Sequence, residues 1–236
     1  MQHPKKLAIF VEGQTEQIFV EKLLLEIVGY KQISIEIRKF SGGKSNRKTE
    51  TVKLGSPDSN YYVLLYDCGS YSHVLSDIRK QYISLNNNGY SKIIGLRDLE
   101  QTLLTEISKL EKSIQSNLKP LTQGGIPVSV CLAVKEIEAW FLSEWNHFLK
   151  IDSSLTLQFI EQNCGFNPQL VDVEQRLDPS EDLNFIYNLV NKTYSKNAND
   201  VQDIVNNLDY EFIYLDLVNT VKYLGYFIKE IDKFLI

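Results

Sequence analysis

Short apolar runs alternate with amphipathic stretches along the first 145 residues. Each apolar run ends at a polar turn, which predicts buried strands, and most of the stretches between them have apolar residues at helical spacing. One run alternates apolar and polar residues instead, which is typical of a half-buried strand, such as one at a sheet edge. The predicted strands are Lys6–Val11, Ile33–Ile37, Tyr61–Tyr66, Lys92–Arg97 and Val128–Val134.

Helices are predicted between these strands and throughout the rest of the chain. Strands alternating with helices imply crossover connections, so we predict an α/β domain over residues 1–145, with a mostly parallel sheet and helices on both faces. Turn signals then separate helical patterns, which predicts a helical C-terminal region over residues 146–236, packed on that domain. The predicted helices cover residues 15–28, 72–85, 103–120, 136–142, 153–164, 183–190, 201–208 and 213–234, and Pro120 is expected to close the third.

The composition is that of an ordinary globular protein. Hydrophobic residues make up 43% and charged residues 23% of the 236 residues, which excludes a disordered or fibrous chain. The sequence has no apolar stretch of about 18 residues and no secretion signal. Cys68, Cys131 and Cys164 are widely spaced and form no CxxC pattern. We therefore expect a cytoplasmic protein without a disulfide framework.

The net charge of −5 predicts no broad electrostatic surface for nucleic acid, since such binding needs clustered Lys and Arg. The best local candidate is the basic, glycine-containing segment Lys39–Lys53, with Lys44, Arg47 and Lys48. One interpretation is a solvated flexible loop, and the other is a loop that holds a phosphate backbone.

Acidic residues recur where the predicted strands end. In an open α/β sheet the ligand crevice lies outside the carboxyl ends of the strands, so these residues can converge there. Clustered carboxylates repel one another unless a cation neutralises them, and oxygen ligands suit Mg²⁺ or Mn²⁺. The candidate metal ligands are Glu12, Asp67, Asp98, Glu100, Glu136 and Glu138.

Each of these acids also has a structural interpretation. Glu12 can stabilise the positive end of the helix that follows it, and Asp67 and Asp98 can cap helices or form turns. Glu136 and Glu138 are about 200° apart if both lie in one regular helix, so only one of them is expected to be a ligand.

Two basic residues lie beside the acids in the sequence, namely Arg97 and Lys135. They are candidates for stabilising the charge that builds on a phosphate in a transition state. They can equally serve as counter-ions of the carboxylates.

Three segments resemble parts of the Toprim family. Phe10–Glu16, an apolar strand that ends in Glu-Gly, resembles the first Toprim motif, and Asp98-Leu99-Glu100 resembles its Asp-x-Asp motif with Glu as the last acid. Glu136–Leu142 is similar to a segment of small Toprim-like proteins often encoded beside an ATPase in bacterial phage-defence loci. The resemblance covers residues 6–145. The Toprim fold also serves the nucleases of the overcoming-lysogenisation-defect family.

The resemblance implies a Toprim-like fold and a metal-dependent nuclease. Glu12, Asp98 and Glu100 would bind a first Mg²⁺ or Mn²⁺, while Asp67 with Glu138 or Glu136 would assist a second ion. Water would then attack a phosphodiester of DNA or RNA, and an ATPase partner would recruit or license the enzyme. The alternative is a non-catalytic Toprim-like scaffold that regulates such an ATPase. Homo-oligomers are compatible with either function.

Overall fold

The computed structural model describes residues 3–41, 48–99 and 104–236, and these residues form an α/β fold. Its six-stranded mixed sheet has the order β3-β2-β4-β1-β5-β6. β1 pairs in parallel with β4 and β5, and β2 pairs in parallel with β4, so the sheet is mostly parallel as predicted. The strands are β1 Lys5–Val11, β2 Ile33–Ser41, β3 Lys48–Gly55, β4 Tyr61–Asp67, β5 Lys92–Leu99 and β6 Val128–Val134.

Helices connect the strands and make up most of the chain after β6. Short 3₁₀ turns cover Leu104–Glu106 and Val173–Gln175, and a π-helical turn covers Ile213–Leu217. The predicted segment 213–234 is interrupted, because Val221 is extended and separates two helices. The helices are α1 Gln14–Val28, α2 Tyr71–Asn87, α3 Ile107–Thr122, α4 Glu138–Ser143, α5 Asn146–Ile151, α6 Leu157–Cys164, α7 Pro179–Asn188, α8 Ala198–Asn207, α9 Tyr210–Phe212, α10 Val218–Thr220 and α11 Lys222–Leu235.

The structure corrects the interpretation of Lys39–Lys53 as a loop. β2 continues to Ser41, and β3 returns antiparallel to it from Lys48. The side chains of β3 are exposed from Glu50 to Lys53 and bury little apolar surface, so the strand is held mainly by its backbone hydrogen bonds to β2. β3 is therefore the edge strand on this side, and β2 lies inside the sheet. Residues 42–47, which include Lys44 and Arg47, lie outside the described residues.

The chain divides into two compact units. The first comprises the described residues of Met1–Arg97, Thr102–Leu132 and Lys229–Ile236, and the second comprises those of Asp98–Gln101 and Ala133–Ile228. The predicted division into residues 1–145 and 146–236 stays a prediction beside this one.

Each unit has its own apolar core. In the first unit Phe10 of β1 packs with Tyr66 of β4, with 5.2 Å between ring centroids, in a cluster that includes Ile78 of α2. In the second unit Trp140 of α4 stacks on Phe227 of α11 at 5.9 Å. Among the described helices, none has the length and apolarity that crossing a membrane requires.

Candidate functional site

Two of the predicted acids lie at the carboxyl ends of the neighbouring strands β1 and β4, in the first unit. The strands pair in parallel with Val11 opposite Asp67, and Glu12 follows Val11 directly. The backbone N–H of Cys68 donates to the carbonyl oxygen of Val11 at 2.9 Å, which extends the ladder past the strand end. Glu12 and Asp67 are both partly exposed. This end of the sheet thus carries two partly exposed acidic residues at the ends of neighbouring strands.

The structural roles proposed for these two acids differ in outcome. The N-terminus of α1 is capped by Glu16, whose Oε2 accepts from the backbone N–H of Gly13 at 2.9 Å. Glu12 directly precedes this capped end, and its electrostatic effect on the helix stays a prediction. Asp67 does form a turn, because its Oδ1 accepts from the N–H of Gly69 at 2.8 Å.

Arg97 lies on the other side of β1 in the same unit. β5 pairs in parallel with β1, with Leu96 opposite Val11, so Arg97 is level with Glu12 in the register. The carboxyl ends of three neighbouring strands thus carry Glu12, Asp67 and a half-buried arginine.

The other predicted metal ligands that the structure describes lie in the second unit and are buried. Asp98 and Glu136 are each 7% exposed and Glu138 is 1% exposed. Lys135 precedes Glu136 with a left-handed φ of 66°, and its carbonyl accepts from the N–H of Leu99 at 3.2 Å. Burying charged groups is costly unless partners compensate for the lost water.

Lys196 supplies much of that compensation. Its Nζ lies 2.6 Å from Glu136 Oε2 and 3.5 Å from Glu138 Oε2. The second oxygen of Glu136 accepts from the backbone N–H of Ser180, and that of Glu138 accepts from the Tyr194 hydroxyl at 2.6 Å. Because α4 begins at Glu138, Glu136 precedes the helix. The premise that both glutamates share one regular helix is therefore wrong, and both contact the same ammonium group.

The charges of this group are strongly coupled. Burial raises the pKa of Glu138, and the positive charge of Lys196 opposes that rise. Burial alone would lower the pKa of Lys196, but Glu138, Glu136 and Asp98 outweigh it and raise that pKa above its ordinary value. Sequence reasoning missed Lys196 and Tyr194, which are 60 and 56 residues from their partners and belong to no recognisable motif.

The two sets of acids differ as candidates for a metal ion. Glu12 and Asp67 offer the hard carboxylate oxygens that Mg²⁺ and Mn²⁺ take as ligands. Glu136 and Glu138 already hold Lys196, so an ion at that position would have to displace the lysine. Within residues 3–41, 48–99 and 104–236, no three His, Cys, Asp or Glu side chains are grouped to hold a metal ion. Glu100 and the side chain of Lys48 lie outside the described residues.

The two units carry opposite net charges. The sequence of the first unit has 19 Lys and Arg against 13 Asp and Glu, a net charge of +6. The second has 6 basic residues against 17 acidic ones, a net charge of −11. The overall −5 is therefore the sum of a basic and an acidic unit, and the expectation of no broad surface for nucleic acid stays a prediction.

These features define an α/β protein with a mostly parallel sheet and carboxylates where its strands end. The chain belongs to the family described as Domain of unknown function (DUF4276), whose model matches residues 11–213. The matched range starts at the last residue of β1 and includes Lys196. No curated protein and no solved structure matches the chain.

Proposed function

We propose that this protein is a metal-dependent nuclease of the Toprim type, which cleaves phosphodiester bonds in nucleic acid. The observation that supports this function is the pair of carboxylates, Glu12 and Asp67, at the ends of adjacent parallel strands in a unit of net charge +6. Acidic ligands for a divalent cation in a unit of net positive charge suit a polyanionic substrate. The association with a partner ATPase in phage defence rests on the sequence resemblance alone.

The residues have distinct roles in this proposal. Glu12 and Asp67 bind metal, and the roles of Asp98 and Glu100 as metal ligands rest on the sequence resemblance alone. A bound Mg²⁺ or Mn²⁺ would supply Lewis acidity and neutralise negative charge. Arg97 and Lys135 stabilise charge on the phosphate, and Lys44, Arg47 and Lys48 hold the nucleic-acid backbone.

The test combines Mn²⁺ titration by calorimetry with cleavage assays on plasmid DNA and on RNA. The variants are Glu12→Gln, Asp67→Asn and Asp98→Asn, and the control is Asp58→Asn, an exposed acid outside the strand ends. We expect Glu12→Gln to weaken Mn²⁺ binding at least about tenfold and to lower the cleavage rate about a hundredfold or more. Asp58→Asn should match the wild-type protein in both assays.

Thermal unfolding of each variant shows whether a loss is local. Wild-type protein that is folded yet binds neither Mn²⁺ nor Mg²⁺ and cleaves neither substrate would contradict the nuclease function. Unequal effects of Asp67→Asn and Asp98→Asn would tell which acid accompanies Glu12 as a ligand.

The second candidate function is a non-catalytic scaffold that binds and regulates a partner ATPase. The observation that favours it is the internal neutralisation of Glu136 and Glu138 by Lys196, which gives these acids a structural role without any metal. If a defence assay in cells is unchanged by Glu12→Gln and Asp98→Asn, the scaffold is the better explanation.

A further inference from the structure

A cavity of about 400 Å³ opens in the second unit where the segment preceding α7 meets the start of that helix. Its charged lining has net charge −3, with four carboxylates against one guanidinium. An exposed leucine also lines it. The residues that define this acidic cavity are Asp172, Arg176, Leu177, Asp178, Glu181 and Asp182.

Intramolecular contacts fix the shape of the acidic cavity. Nε and Nη2 of Arg176 each lie 2.7 Å from an oxygen of Asp182, and the guanidinium lies 3.9 Å from the ring centroid of Phe166. Oδ1 of Asp178 accepts from the N–H of Glu181 at 3.1 Å and thereby caps α7. Because Asp182 already neutralises Arg176, the other three carboxylates are left to attract a cation from outside.

Exposed apolar side chains accompany these charges. Leu177 is 88% exposed and Leu170, beside the lining residue Val171, is 74% exposed. Phe185 is 51% exposed and lies one turn after Glu181 on the same face of α7. The side chains of Asn167 and Asp172 accept hydrogen bonds from backbone N–H groups of this segment. The exposed apolar side chains are therefore part of an ordered segment. Large apolar side chains surrounded by polar ones are characteristic of an interaction site.

We infer that the acidic cavity is a docking site for a basic segment of another protein. Lys or Arg side chains of that segment would pair with Asp172, Asp178 and Glu181, while an apolar side chain would pack on Leu177. Charge complementarity favours this partner, since the second unit has net charge −11 and repels nucleic acid and anionic lipid alike. The inference does not depend on the proposed nuclease activity.

The test is the fluorescence anisotropy of short labelled peptides titrated with the full chain. One peptide alternates Lys with Leu, a second alternates Lys with Ser, and a third alternates Glu with Leu. Leu177→Ser and Glu181→Gln change the acidic cavity. Leu215→Ser is the matched control, because Leu215 is 57% exposed elsewhere in the second unit. All three positions are on the surface, so the variants should fold as the wild-type chain does.

We expect saturable one-to-one binding of the Lys–Leu peptide alone. Leu177→Ser should weaken that binding roughly tenfold, Glu181→Gln should weaken it several-fold, and Leu215→Ser should leave it unchanged. Equal binding of the Lys–Ser peptide, or equal weakening by Leu215→Ser, would overturn the inference, as would the absence of saturable binding. Concentration-dependent self-association in sedimentation that disappears in Leu177→Ser would identify a second copy as the occupant and would also overturn it. Nucleic-acid cleavage is assayed on the same samples, so that failure of peptide binding can be distinguished from failure of the proposed nuclease function.

Discussion

At the scale of single residues, the most informative position is Lys196. Its φ of 56° is in the left-handed region, which non-glycine residues seldom adopt. The surrounding turn is fixed by Ser195, which bonds Asp200, and by Asn197, which caps α8. This conformation delivers one ammonium group to two buried carboxylates. We interpret the turn as a structural device that places a cationic partner beside Glu136 and Glu138 inside the second unit.

Replacing this lysine should therefore destabilise the protein. Lys196→Met keeps the aliphatic stem but leaves Glu136 and Glu138 without their cation. Removing one partner of a fully buried pair costs about 3 to 5 kcal/mol. Because the Lys196 side chain is 39% exposed, we expect a loss of about 1 to 2 kcal/mol. Urea unfolding measures it, with Lys192→Met, an exposed lysine nearby, as the control. Equal stability of the two variants would show that water replaces the Lys196 ammonium at no cost.

At the scale of elements, the β2–β3 hairpin depends on backbone geometry more than on side chains. Gly55 ends β3 with a φ of +84°, and a Cβ atom built there would lie 2.0 Å from the carbonyl oxygen of Ile33. Ile33 begins β2, so a side chain at residue 55 would collide with the neighbouring strand. Gly89, which follows α2, has a similar φ of +73° but open space around it.

The two glycines separate steric collision from backbone strain. Gly89→Ala should cost about 1 kcal/mol, the strain of a left-handed alanine. Gly55→Ala adds the collision and should cost about 2 to 4 kcal/mol. Denaturant unfolding of both variants tests the difference. If they are equally stable, the strand end moves aside without cost and the close approach has no role in stability.

These examples also explain how far the sequence could predict the structure. The parallel strands were predictable because burial on both faces requires continuous apolar runs such as Tyr61–Tyr66. β3 was not, because an edge strand tolerates polar residues such as Glu50 and Lys53 and takes its ladder from β2. In the candidate site, Glu12 and Asp67 followed from their positions at strand ends, whereas Lys196 reaches Glu136 across 60 residues by tertiary packing alone.

A buried ion pair links the last helix to the sheet inside the first unit. Lys92 begins β5, and its Nζ lies 2.7 Å from Glu230 Oε2 on α11. Ser129 of β6 and Lys233 of α11 also donate to Glu230. Burial alone would raise the pKa of Glu230, but the hydrogen bonds from Lys233, Lys92 and Ser129 outweigh burial and lower the pKa to about 2.

This pair should make stability depend on acid. A carboxyl group with a depressed pKa stabilises the fold above its unfolded pKa of 4.5, and that stability disappears as the pH falls toward about 2. We expect Glu230→Gln to lose about 2 to 4 kcal/mol at pH 7, because Lys92 keeps its charge without the carboxylate. The difference from wild type should be constant between about pH 6 and 8 and should shrink below about pH 4.5. Lys233→Met, which removes a largely exposed partner, should cost less than about 1 kcal/mol. A pH-independent difference would contradict the assignment.

At the scale of the whole molecule, the main feature is the separation of charge between the two units. The unit of net charge +6 contains Glu12, Asp67 and Arg97, which have roles in the proposed cleavage. The acidic cavity lies in the unit of net charge −11. Such a division allows one chain to attract a polyanion and a basic protein segment through different parts of its surface. It also predicts that the two kinds of binding respond to different substitutions.

Salt dependence of nucleic-acid binding tests this division. The affinity for a DNA duplex, measured in EDTA so that no cleavage occurs, should fall steeply as salt rises, because each neutralised phosphate releases counterions. Replacing Lys44, Arg47 and Lys48 together by Ala should reduce the slope of log affinity against log salt by about 0.9 for each phosphate that is no longer neutralised. The matched control replaces Lys150, Lys192 and Lys222 of the second unit and removes the same total charge. If only total charge mattered, both triple variants would change the slope equally. The division of charge requires the first triple variant to have the larger effect, since the lysines of the second unit belong to a unit in which acidic residues outnumber basic ones.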